Sequence, residues 1–319
     1  MKKYLIIFAA VLFVFSGCAQ KNDSLFKKAV NLNREGKVEA ALKVYNAILR
    51  SDPNYISALA NRAIIYEKIG EPEMALADYK KASELAPNQP EIQNNLGAFY
   101  LSQNQLLLAL HHLNRAIELN PNYYMAYVNR GSVYQALGKL NKASDDLATA
   151  IKMSPDGMLA IVNKAIIDYD RFSYEDSIAG FTQALYNDPN NAKNFYRRGM
   201  AFRMSGKYAN ALADFAMAVS LQPEYVDALY ARAEMLFKSG DYQAALGDLE
   251  KLKSINNRYA PSYELSGDIY AIEDPNAAVA NYLVARRLDP SNYRRYNAKI
   301  ALMRTDEGRQ RVVQRTFNN

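Results

Sequence analysis

From Ile56 to Gln89 the chain reads ISALANRAIIYEKIGEPEMALADYKKASELAPNQ, and this 34-residue stretch returns along the sequence. Its Pro87 belongs to a series, Pro53, Pro87, Pro121, Pro155, Pro189 and Pro223, with every interval 34 residues. A fixed period of this size signals a stack of like units, and 319 residues exceed what one hydrophobic core usually organises. Copies begin at Asn22, Ile56, Pro90, Tyr124, Met158, Ala192, Val226 and Ala260. Their eighth residue is always small: Ala29, Ala63, Gly97, Gly131, Ala165, Gly199, Ala233 and Gly267. Their twenty-fourth is large, as in Tyr45, Tyr79, Leu113, Leu147, Phe181, Phe215 and Leu249, with Tyr282 after a one-residue deletion in the last copy.

This alternation predicts two antiparallel helices per copy. A small residue lets two helix backbones approach, and a large one fills the space beside it. Gly36, Gly70, Gly138, Gly206 and Gly240 stand where the first helix must stop, a place suited to a left-handed cap. The periodic proline follows the second helix and cannot extend it.

Period, small and large positions and terminal proline together resemble the tetratricopeptide repeat (TPR), over eight copies spanning 22–292. The resemblance implies an all-α solenoid, a right-handed superhelix of antiparallel helix pairs. The aromatic that the family favours near each repeat start is replaced here by Leu59, Tyr127, Phe195, Leu229 and Tyr263, since the chain has no Trp. Residues 293–304 read as a capping helix, with Arg294, Arg295, Lys299 and Arg304 outward and Tyr296, Ile300 and Met303 inward. Residues 305–319 read as a basic tail with little apolar periodicity.

Two residue types vary together. Arg62, Arg130, Arg198 and Arg232 occupy the seventh position of their copies, and Asp78, Asp146, Asp214 and Asp248 stand sixteen residues further on. Copies without the arginine lack the aspartate: Leu96 goes with His112 and Lys164 with Gly180. An acid that appears only with its base predicts an ion pair between helices. The fifth copy departs most from the pattern, with Asp168 at a position usually aromatic, Phe172 in place of the capping glycine and Ser177 for alanine. A bend or loosening near 165–177 is expected there.

The candidate binding surface follows from the resemblance. The sixth residue lines the concave face in TPR proteins, and here it is Asn61, Asn95, Asn129 and Asn163 in four consecutive copies. A carboxamide donates and accepts, so such a row matches a peptide backbone without reading its side chains. The row stops at Arg197, where Tyr196, Arg203 and Tyr230 enter, followed by Glu234, Glu264 and Asp268 as an acidic end. Tyrosine and arginine are favoured at binding hot spots, which marks Tyr196, Arg197 and Tyr230 as a second candidate patch. Tyr196, Tyr230 and Tyr263 are also placed to stack on sugars, which keeps a glycan- or envelope-polymer-binding lipoprotein as the alternative reading.

The N-terminus reads as an address. Lys2 and Lys3 precede eleven uninterrupted apolar residues, Leu5 to Phe15, about half of what a bilayer span needs. The following Phe15-Ser16-Gly17-Cys18 resembles the bacterial lipobox, and Cys18 is the only cysteine of the chain. Residues 1–17 are thus a lipoprotein signal peptide and 18–21 a linker lipidated at Cys18, whose acyl chains (palmitate) give a stable membrane anchor. Ala19 is not the aspartate that, by resemblance, retains such proteins in the inner membrane, so the outer membrane is the expected destination in a Gram-negative cell. The likeness extends loosely to NlpI-type envelope adaptors and to pilotins with similar repeats. The expected role is that of a scaffold binding another envelope protein or peptide.

Charge and chemistry narrow this further. The formal charge is +6 and the pI about 9.1. Yet residues 293–319 hold seven basic residues against Asp306 and Glu307, so the repeats are near neutral. A nucleic-acid partner is excluded by export and by the lack of a basic stripe. The basic C-terminus is expected at most to touch an anionic envelope surface. His111 and His112 are the only histidines, and neither a metal-ligand spacing nor a nucleophile motif occurs, so no enzyme, metal or cofactor is expected.

Overall fold

A computed structural model describes residues 21–305 and 307–310. The expected signal peptide 1–17, the expected lipidation site Cys18 and most of the 305–319 tail lie outside the described residues. Among the described residues the chain is helical throughout, without a strand. A helical stretch over 21–34 is followed by Val38–Ser51, and each later copy repeats that pair, for example Ile56–Lys68 with Pro72–Leu85 and Ala192–Met204 with Tyr208–Leu221. Helix Tyr293–Met303 comes last. The chain forms two compact units, the first ending at Ala160 and the second starting at Ile161. The boundary falls inside helix Met158–Asp170.

The small and large positions meet as expected. A Cβ on Gly199 would stand 2.7 Å from the Phe215 ring, and one on Gly267 2.5 Å from Tyr282, so both helix pairs are closer than a larger residue would allow. Tyr45, Tyr79, Leu113, Leu147, Phe181, Phe215, Leu249 and Tyr282 are all buried.

In copies one to seven the first helix ends on a residue in the left-handed region. Gly70 takes φ +81°, and the Glu71 amide reaches back to the Tyr66 carbonyl at 2.9 Å, a Schellman closure. In copy five Phe172 takes φ +62°, and the Ser173 amide bonds the Asp168 carbonyl at 2.8 Å. Copy five keeps both helices, Met158–Asp170 and Tyr174–Asn187. The irregular residues therefore adopt the usual turn, with the strain carried by Phe172, whose ring is 76% exposed. A left-handed non-glycine residue costs about 1–2 kcal/mol, while glycine adds entropy to the unfolded chain. Phe172→Gly is accordingly expected to stabilise the unit from Ile161 by about 1 kcal/mol, measured as a raised urea midpoint. An unchanged or lowered midpoint would show that the ring's edge contact with Tyr174, at 6.3 Å between centroids, outweighs the strain.

All four arginine–aspartate pairs form as two parallel hydrogen bonds. Arg130 donates from Nε and Nη2 to the two Asp146 oxygens at 2.7 and 2.8 Å, and Arg62, Arg198 and Arg232 repeat this on Asp78, Asp214 and Asp248. Each pair joins the two helices of one copy. Three of the arginines also reach back to the second helix of the preceding copy: Arg62 to Asn46 at 2.6 Å, Arg130 to Asn114 at 2.8 Å and Arg198 to Thr182 at 3.2 Å. The hydrogen bond to its aspartate, outweighing burial, raises the Arg130 pKa above the usual guanidinium value. These side chains are structural staples.

Other chemistry fills the place where the pair is missing. In copy five Gly180 lets the second helix close on Ala165, and Lys164 turns instead to Asp168, which is 3% exposed, at 2.7 Å. In copy eight Ser266 and Asn281 hold the two places, and Lys253 from the second helix of copy seven donates to them at 2.7 and 3.2 Å. In copy three the Gln93 amide donates to Ser83 and to the Pro87 carbonyl, which aims its oxygen at His112 Nδ1, 2.8 Å away. Nδ1–H therefore donates to it, and the ring stacks on Tyr100 at 5.4 Å.

Burial, and then the neighbouring His111, lowers the His112 pKa from 6.5 to about 4. A group held below its unfolded value contributes stability that is full above about pH 6.5 and is lost as pH falls toward 4. Urea midpoints of the unit ending at Ala160 should fall over that window, and His112→Gln should flatten the decline. An equally steep decline in the variant would assign it to other groups.

Candidate functional site

The first helices of neighbouring copies touch each other, as Pro90–Ser102 touches Tyr124–Ala136 and Val226–Lys238 touches Ala260–Tyr270. Their shared face carries the candidate residues. Two spacings, 35 and 31 residues, occur among the hydrogen bonds that link them. At 35, a sixth-position side chain meets the fifth position of the copy before: Asn129 Nδ2 donates to Asn94 Oδ1 at 2.8 Å. At 31, Arg203 meets Glu234 at 2.8 Å and Lys299 meets Asp268 at 2.6 Å.

This rule sorts the asparagine row. Asn94, buried at 4% exposure, links Asn129 on one side and Asn95 on the other, donating to Asn95 Oδ1 at 3.4 Å. Asn61 has Phe26 at the matching fifth position, which offers no polar atom, and bonds back to the Ser57 carbonyl at 2.9 Å. Asn163 is half-buried and belongs to the other unit. In the first unit, then, the row is Asn61, the Asn94–Asn95 pair and Asn129. Asn94 was not legible as a member because it falls one position before the sixth.

The expected acidic end is not free. Glu234 pairs with Arg203, Glu264 with Arg295 at 2.7 Å and Lys299 at 2.6 Å, and Asp268 with Lys299 and the Tyr282 hydroxyl at 2.8 Å. Arg295 and Lys299 come from the last helix, so the outward cations of the cap serve to neutralise the preceding copy. The same helix buries Tyr296, Ile300 and Met303 against copy eight.

Tyr196 and Tyr230 occupy equivalent fifth positions but different surroundings. Tyr230 packs on Tyr259 at 5.5 Å, and burial, then Glu234, pushes its hydroxyl pKa well up. Tyr196 leans on Tyr225 at 5.2 Å and Phe215 at 5.9 Å and forms one wall of a cavity of about 240 Å³. The other walls are Ile166, Tyr169, Phe181, Arg197 and Met200. Burial and then Asp227 push the Tyr196 hydroxyl up to about 12, so it stays protonated at neutral pH. Arg197 is exposed, and its matching fifth position in the copy before is Val162, which gives it nothing to bond. Tyr263 lies apart, its hydroxyl donating to the Asn257 carbonyl and its ring 4.8 Å from Lys253 Nζ. The structure thus brings Tyr196 and Arg197 into one site and leaves Tyr230 and Tyr263 outside it. Ile166, Tyr169 and Met200 complete the wall from one or two turns further along the same helices. Among the described residues no cluster of His, Cys, Asp and Glu could hold a metal ion. No helix there is long and apolar enough to cross a membrane.

A stack of 34-residue antiparallel helix pairs, with ligand-sized relief on the face of its first helices, defines an α-solenoid of the recognition type. Tetratricopeptide repeat models match residues 23–55, 56–89, 126–156 and 196–260, and a TPR repeat model matches 99–138. The chain belongs to the tetratricopeptide repeat family. No match is found among curated proteins. Among solved structures the chain is similar to a tetratricopeptide repeat protein from Parabacteroides merdae, at 22% identity over 77% of this chain and 98% of that one, TM-score 0.56. It is also similar to PilW, described as a widely conserved type IV pilus biogenesis factor (20% identity, 66% and 97% covered, TM-score 0.62). A third similar structure is YrrB, described as a TPR protein with an unusual peptide-binding site (20% identity, 59% and 97% covered, TM-score 0.51). These likenesses establish the fold.

Proposed function

We propose that this chain is a lipid-anchored, non-enzymatic adaptor of the bacterial envelope that holds a segment of another protein along the face of its first helices. The family works through protein–protein contacts, and a preformed solenoid surface offers binding without reordering of the scaffold. The observation that carries the reading is the cavity walled by Tyr196, Met200 and Ile166 beside the exposed Arg197. The pilus-biogenesis role described for PilW and the peptide-binding site described for YrrB are consistent with it. The anchor rests on Cys18 and the segment before it.

Crosslinking in intact cells followed by mass spectrometry tests both parts. A defined envelope protein should be recovered, and recovery should fall with Asn129→Ala plus Asn163→Ala. Recovery of glycan without any protein would replace the adaptor by the polymer-binding alternative. Cys18→Ser should move the protein from the membrane to the soluble fraction, and unchanged membrane retention would remove the lipid anchor.

A further inference from the structure

We infer that the cavity between helices Met158–Asp170 and Ala192–Met204 is a side-chain pocket selecting a bulky apolar residue next to an acidic one in the bound segment. The inference deepens the adaptor reading and rests on it. Three observations converge. The walls are apolar or aromatic, from Ile166, Tyr169, Phe181, Tyr196 and Met200, so an entering aliphatic or aromatic side chain gains burial and ring contacts. Phe181 is fully buried and Tyr196 is braced by Tyr225 and Phe215, so two walls are held before any ligand arrives.

Arg197 supplies the charge. Other cations along this face are already paired: Arg203 with Glu234, Lys299 with Glu264 and Asp268, and Arg295 with Glu264. Arg197 lines the cavity and is exposed, and Lys193 is exposed one turn before it on the same helix. Asn163 holds the sixth position in the preceding copy, as Arg197 does in its own. A carboxylate at the rim would find the Arg197 fork, with the Lys193 ammonium one turn before it on the same helix. The row thus changes at Arg197 from carboxamides that suit backbone to a guanidinium that suits an acid.

Phage display of random dodecapeptides on the purified full chain tests this. Enriched peptides should share an acidic residue within two positions of Phe, Tyr, Leu or Met. Synthetic versions should bind about tenfold more weakly to Arg197→Glu, and changing the peptide acid to lysine should restore the loss. Met200→Trp, which fills the cavity, should weaken binding whatever the peptide charge, with circular dichroism confirming that both variants remain folded. Peptides lacking the acidic-apolar pattern, or unaffected by both variants, would overturn the pocket. If crosslinking in cells still recovers a protein partner in that case, the adaptor reading stands alone. No enriched peptide together with no crosslinked protein would sink both.

Discussion

Arg130→Ala is expected to cost about 3 kcal/mol in the unit ending at Ala160, because it strands the Asp146 carboxylate between two helices. Side chains of the pair are 19% and 10% exposed, and the guanidinium also gives up its bond to Asn114. Urea unfolding followed by far-ultraviolet circular dichroism measures the change. The pairing itself is worth less than the figure suggests. Replacing both partners, Arg130→Leu with Asp146→Leu, removes the charge and its partner together and should lie within about 1 kcal/mol of the parent. A cost for Arg130→Ala under about 1 kcal/mol would class the pair with solvated surface bridges.

The second large effect concerns the last helix. A chain ending at Asn292 loses Tyr296, Ile300 and Met303, and fully burying side chains of this size is worth about 1.5–3 kcal/mol each. It also strips Lys299 and Arg295 from Glu264 and Asp268. Amide exchange across helices Ala260–Tyr270 and Pro275–Leu288 should then rise toward that of frayed helices, with the first unit unaffected. Lys299→Met separates the two contributions, since it keeps the apolar contacts while leaving Asp268 without its cation. If the truncated chain keeps the parent's protection, the helix is an appendage to a copy that is stable without it.

The helix pairs and staples could be read from the sequence because they depend on geometry within one copy. Sixteen residues around a tight antiparallel turn always bring the seventh and twenty-third positions together, so Arg62 and Asp78 reveal each other by varying in step. Contacts between copies depend on how neighbouring first helices cross, which no spacing inside a copy fixes. This is why Glu234, Glu264 and Asp268 read as an exposed acidic end and prove to be neutralised by Arg203, Arg295 and Lys299. The 31-residue interval common to three of those contacts was present in the sequence, but only the packed helices give it meaning. The cavity was half legible. Tyr196 and Arg197 stood out as departures from the asparagine row, whereas Ile166 and Met200 look like any apolar residue until the gap beside them is visible.

The reach of the staple arginines into the preceding copy bears on how freely the repeats can be shuffled. Asn46, Asn114 and Thr182 hold the twenty-fifth position just ahead of the copies with Arg62, Arg130 and Arg198, whereas Lys80, Ala148 and Glu250 precede copies without the arginine and the apolar Ala216 precedes Arg232. Excising residues 90–123 keeps the 34-residue phase but sets Lys80 against Arg130, cation against cation. Excising 56–123 sets Asn46 there and preserves the bond. Across the first six copies, insertions and deletions should therefore survive in couples more readily than singly, which makes the dyad of repeats, and not the single repeat, the heritable building block there.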